Sequence, residues 1–141
     1  MATTTASITI ASSDIIPGMA MNYYKTATLH KAGGCTGLEK IISGTKEYTS
    51  ASAQTLLDQS VLGSSGDSTV TANKANKLYI KNLSTDTTEY ATITIYNEEL
   101  GRLYAGDWLF IPWSAEDANA DVKITPSVAT SMKFDYVLVH E

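Results

Sequence analysis

The chain has 141 residues, of which 43% are hydrophobic and 18% charged, with a formal net charge of −5. That length suits one ordinary domain with a self-sufficient core, and the apolar fraction excludes a disordered acidic tail. The negative charge repels phosphate backbones and argues against general nucleic-acid binding, and no apolar run approaches the roughly 20 residues of a membrane span.

In place of charge the chain uses 19 Thr and 14 Ser, and Thr favours strands. Ser7-Ile8-Thr9-Ile10 alternates as a strand with one apolar face. Residues 1–14 are read as an N-terminal strand or extended arm, with residues 15–141 forming the main domain. Residues 2–10 carry no charge, so as a free arm they would be an unprotected pairing edge. Ile8 and Ile10 are therefore candidate contact residues. Pro17-Gly18 signals a turn. Residues 19–29 alternate loosely, and Gly33, Gly34 and Gly37 mark a loop around Cys35.

The stretch Leu38–Leu62 is ambiguous. Ala53, Leu56, Leu57, Ser60 and Val61 have the spacing of a short helix, while Tyr48-Thr49-Ser50 introduces strand-favouring types. Gly63–Asp67 reads as a loop. From Lys77 onward the alternation is regular. Strands are expected over Lys77–Asn82, Glu89–Asn97, Arg102–Ala105, Asp107–Trp113, Asp121–Thr125 and Ser131–His140. The last is apolar on both faces in its second half, which predicts a strand that is central or covered on both sides. Turn signals recur every eight to twelve residues, as in an all-β antiparallel sandwich or jelly roll of about seven or eight strands with at most one short helix.

Little in the sequence suggests chemistry. His30 and His140 have no metal-ligand spacing, and His140 is expected to be solvated. Cys35 lacks a second thiol for a disulfide, a zinc site or a redox pair, and reads as an inert small residue. No nucleophile elbow or phosphate-binding glycine loop occurs. The first basic residue is Lys25 and no apolar leader follows the start, so folding in a reducing cytoplasm is expected. Asp117-Ala118-Asn119-Ala120-Asp121 begins like a calcium loop, but Val122 and Val128 stand where the turn Gly and the bidentate Glu belong. Gly106–Pro112 resembles the second motif of cupin jelly rolls. Ser114 and Asp117 replace that motif's later Gly and His, and the first motif is missing, which supports a hairpin and argues against a metal centre. No catalytic residue, metal or cofactor is expected.

Aromatic residues are the remaining candidates. Trp108, Phe110 and Pro112 share one face of their strand; Leu109, Ile111 and Trp113 share the other, and Tyr104 precedes them. A two-layer sandwich buries only one face of a strand. The other face must meet a subunit, a covering loop or a ligand, and a protein contact with Trp113 at its edge is expected. Tyr104, Trp108, Phe110 and Trp113 thus join Ile8 and Ile10 as interface candidates.

The sequences Leu78-Tyr79-Ile80-Lys81-Asn82, Gly101-Arg102-Leu103-Tyr104-Ala105-Gly106-Asp107 through Pro112-Trp113, and the strand ending at Glu141 resemble small virion structural proteins of tailed bacteriophages. The resemblance covers residues 77–141. It implies a non-enzymatic β protein of the virion, of the capsid decoration or cement type. The implied partner is the major capsid protein or another virion protein, with self-association as a dimer or trimer and with neither nucleic acid nor membrane involved. A tail or fibre component that binds a glycan is the alternative, with Trp and Tyr as stacking platforms.

Overall fold

The computed structural model describes residues 3–58, 74–115 and 118–141. By its internal contacts the chain divides into two units, Met1–Glu39 and Lys40–Glu141. The division falls after Glu39 rather than after residue 14, because the N-terminal segment is paired within its own chain. Strand β1 (Thr4–Ile16) runs antiparallel to β2 (Met19–Leu29). Pro17 presets its own φ, and Gly18 takes a φ of +79°, which reverses the chain so that Ile16 faces Met19. Residues 4–12 form a hairpin strand, with Thr4 opposite Leu29 and Ile10 opposite Tyr23, and not an arm. The loop after β2 closes on itself through the Lys31 amide, which donates to the Thr36 carbonyl at 2.8 Å.

Among the described residues the second unit holds eight strands: β3 (Lys40–Tyr48), β4 (Gln54–Leu57), β5 (Asn76–Asn82), β6 (Tyr90–Ile95), β7 (Glu98–Tyr104), β8 (Trp108–Trp113), β9 (Val122–Pro126) and β10 (Met132–His140). They form two four-stranded antiparallel sheets, ordered β3-β10-β5-β8 and β4-β9-β6-β7. Except for the β6–β7 hairpin, successive strands cross between the sheets, in the order of the double-sheet jelly roll. Among the described residues the helical structure is a single 3-10 turn, Ala118–Ala120. β10 lies between β3 and β5, the central place that its two apolar faces predict.

The ambiguous stretch resolves as strands, with β3 and β4 on either side of Ser50. Ser60, Val61 and the Gly63–Asp67 loop lie outside the described residues, as does Asp117 of the calcium-like loop. Tyr96 and Asn97 leave the strand expected over Glu89–Asn97. Both have positive φ, 55° and 61°, and form the two-residue turn that joins β6 to β7.

Alternation places one residue in two from each strand into a shared core. Leu56, Leu57, Leu78, Ile80, Ala91, Ile93, Leu103, Val122, Ile124, Met132, Phe134 and Leu138 are buried there. Asn82 ties β5 to the β7–β8 turn. Its side-chain amide donates to the Leu103 carbonyl at 3.1 Å, and its own carbonyl accepts from the Gly106 amide at 3.1 Å. Gly106, with φ +80°, makes the turn that feeds β8, as the Gly106–Pro112 pattern predicts. Gly44 is a glycine for a different reason: a Cβ there would lie 3.0 Å from the Tyr136 hydroxyl.

Candidate functional site

Inward and outward residues of β8 are set by its pairing with β5. Leu78 faces Ile111 and Ile80 faces Leu109, so these pairs point to the core. Tyr79 faces Phe110 and Lys81 faces Trp108, on the outer side. Trp108 is 48% exposed and Phe110 39%. The Tyr79 and Trp108 rings lie 6.0 Å apart with an interplanar angle of 32°. The next strand continues this face, since Val137 of β10 pairs with Tyr79 and Asp135 with Lys81. On β3, Ser43 and Thr45 follow in the same rows, and Ile41, opposite Val139, is exposed.

The outer face of this sheet therefore changes character across its width. Toward β8 it is aromatic, with Tyr79, Trp108, Phe110 and Pro112, and Lys77 and Lys81 stand on either side of Tyr79 along β5. Toward β3 its polar groups engage one another. The Thr45 hydroxyl donates to the Asp135 carboxylate at 2.5 Å, and Lys133 lies 3.9 Å from Glu47, which also accepts from the Ser131 hydroxyl. The aromatic half lacks such partners of its own. It is an exposed aromatic surface flanked by two lysines.

The candidate residues separate into four places. Trp108 and Phe110 share the aromatic face. Tyr104, 46% exposed, projects from the outer side of the other sheet, where its ring lies 5.5 Å from Tyr90. Arg102 stacks over that same Tyr90 ring at 4.6 Å. Ile8 and Ile10 are exposed on the β1–β2 hairpin. Trp113 is not a surface residue. It is 2% exposed in the core, and its indole N–H donates to the Ala120 carbonyl at 2.8 Å. Its strand alternates, and the register that turns Leu109 and Ile111 inward takes Trp113 with them. Sequence reasoning missed Tyr79 and Val137. Their signal was the pairing of β5 with β8 and β10, which alternation within one strand does not reveal.

Among the described residues no three of His, Cys, Asp or Glu come together to hold a metal ion. His140 is 3% exposed, contrary to its expected solvation, because β10 stays paired with β3 through His140 opposite Lys40. Cys35 is exposed and unbridged. Asp86 has its carboxyl pKa lowered by the backbone amide of Thr88 and then by its hydroxyl. Burial, with Tyr136 nearby as a second cause, pushes the Tyr48 phenol up to about 12. Both effects belong to loop and core structure.

No protein-family model matches the chain, and no curated protein matches it. Among solved structures, the cupin domain of Schizosaccharomyces pombe Cnp3 is similar over 96% of this chain and 84% of that one, with 9% identity and a TM-score of 0.45. So slight a likeness bears on neither ligand nor partner.

Proposed function

We propose that the protein is a non-enzymatic structural component of a tailed-phage virion, a capsid decoration protein that binds the major capsid shell through the outer face of its β3-β10-β5-β8 sheet. The observation that carries this reading is the exposed aromatic group of Trp108 and Phe110 beside Tyr79. An apolar surface of this kind marks an interaction site, and aromatic residues are enriched where proteins meet. Lys77 and Lys81 favour a partner with apolar ground and an acidic rim. The sequence resemblance over residues 77–141 supports the virion, and the jelly roll is a fold that capsid proteins use.

The glycan-binding tail or fibre module stays as the second reading, because Tyr79 and Trp108 also form an exposed stacking platform. One experiment separates the two. Particles of the phage that encodes this chain, stripped of the protein, are incubated with purified wild-type protein or with Trp108→Ala and Phe110→Ala variants. Bound copies are counted by gel densitometry and located by electron microscopy. Decoration predicts binding over the head and a loss of about 2 kcal/mol or more for Trp108→Ala, as for other interface tryptophans. Binding confined to the tail, or unchanged head binding by both variants, would overturn it.

A further inference from the structure

Charge and edge protection are distributed unevenly between the two units. Residues 1–39 carry Lys25 and Lys31 against Asp14 and Glu39, so the whole net charge of −5 lies in residues 40–141. Every edge strand of the jelly roll has a device against pairing with another chain. β3 carries Lys40, Lys46 and Glu47; β4 has only four residues; β7 carries Glu98, Glu99 and Arg102 beside a register shift; β8 has Pro112. Short strands, charges, bulges and proline are the usual protections of sheet edges.

The hairpin has few of these for its length: a register shift between Ser12 and Ile16 near its turn, and one charge on each strand. β1 spans 13 residues and β2 spans 11, with Asp14 and Lys25 as their charged residues. The two hairpin faces also differ. On one, the Ser7 and Thr26 hydroxyls are 2.8 Å apart and Thr26 donates to the Tyr24 hydroxyl. The other carries Ala6, Ile8 and Ile10 on β1 against Ala27, Lys25, Tyr23 and Met21 on β2. Ile8, Ile10, Met21 and Tyr23 are between 36% and 48% exposed. A two-stranded hairpin is marginal in water by itself, and such a face calls for cover.

We infer that the β1–β2 hairpin is the self-association element of this protein, its Ile8–Ile10–Tyr23–Met21 face covered by the same face of a second copy. Charge selects this occupant. Two copies that approach through their jelly rolls bring two net charges of −5 together, whereas the units that carry the hairpins are each neutral overall. The face is also compatible with itself. A two-fold axis through the Ile10–Tyr23 pair sets Lys25 of each copy over Met21 of the other, so the two ammonium groups stay apart and their alkyl stems cover apolar surface.

The test is sedimentation of the full-length chain over a wide concentration series. The wild type should be dimeric or larger. Ile10→Glu with Tyr23→Glu should raise the dissociation constant by about a hundredfold or more, as loss of central interface contacts does. Thr9→Glu, on the polar face, should leave it unchanged, and far-UV circular dichroism checks that each variant keeps its sheets. A second measurement stays informative if the double variant fails to fold. In a Cys35→Ser background, a spin label on Ile10→Cys should show close label-to-label coupling, and one on Thr9→Cys, on the opposite hairpin face, should show a longer separation. A monomeric wild type, equal effects from the two faces, or closer coupling at position 9 than at 10 would each overturn the inference. If the hairpin variants lose only attachment to capsids while the free protein is monomeric, the covering partner is the shell and not a second copy.

Discussion

Trp113 offers the sharpest test of how this jelly roll is held together. Its side chain is 2% exposed and its indole N–H donates to the Ala120 carbonyl at 2.8 Å, on a residue that is itself fully buried. Trp113→Ala removes the largest side chain of the core and should cost about 3–5 kcal/mol, the usual range for buried aromatic truncation. Trp113→Phe keeps most of the ring but leaves the Ala120 carbonyl without its donor, which should cost about 1–3 kcal/mol. Trp108→Ala, by contrast, removes a half-exposed ring whose stacking on Tyr79 is worth only about 0.5–1.5 kcal/mol. The assay is urea unfolding followed by far-UV circular dichroism, because removing either tryptophan changes the fluorescence signal itself. The expected order of cost is Trp113→Ala, then Trp113→Phe, then Trp108→Ala. Equal costs for Trp113→Ala and Trp108→Ala would refute the assignment of Trp113 to the core and return it to the surface.

Two further outcomes follow from one buried and one half-buried polar group. Asn82→Ala should destabilise by about 1–3 kcal/mol, because the Leu103 carbonyl loses its donor and the Ser84 amide its acceptor, and the same urea titration measures it. For Tyr48, the fold raises the phenol to about 12 from an ordinary 10.0, so the folded state favours the neutral form. That contribution is fully present below pH 10 and is lost as the pH rises toward 12. Tyr48→Phe should flatten the alkaline decline in stability over that window, at the expense of the hydrogen bond that its hydroxyl donates to the Thr55 carbonyl at 3.0 Å. An unchanged decline would place the alkaline titration elsewhere.

What the sequence revealed was governed by local alternation. The β5, β6, β9 and β10 runs each carry a clear in–out pattern, and their structural bounds fall within two residues of those read from the sequence. Local signals that compete were less legible. The spacing of Ala53, Leu56 and Leu57 suits a helix, yet Leu56 and Leu57 sit in a four-residue edge strand because β9 pairs with it. A register shift between Thr55 and Leu57 turns both leucines toward buried surroundings. Nothing within residues 50–62 encodes that pairing. The N-terminal strand was visible from Ile8 and Ile10, but its partner was not, since β2 has no strict alternation of polar and apolar types.

Strand β8 shows why the interface candidates divided as they did. Trp108-Leu109-Phe110-Ile111-Pro112-Trp113 is apolar on both faces, so alternation defines two sets without saying which is inside. The choice is made by β5, whose Leu78 and Ile80 are flanked by Lys77 and Lys81 and can face inward in only one way. Pairing carries that phase to β8: Leu109 and Ile111 follow Ile80 and Leu78 into the core, and Trp108 and Phe110 follow Lys81 and Tyr79 outward. Trp113 shares the inward phase, and the Ala118–Ala120 turn supplies the carbonyl that lets its indole nitrogen be buried. The outward aromatics have no corresponding partner beyond Tyr79. On an edge strand this face could carry Thr or Lys without disturbing the core, so packing within the chain does not account for Trp108 and Phe110. The proposed external contact would account for them, and Trp113, buried in the core, would take no part in it.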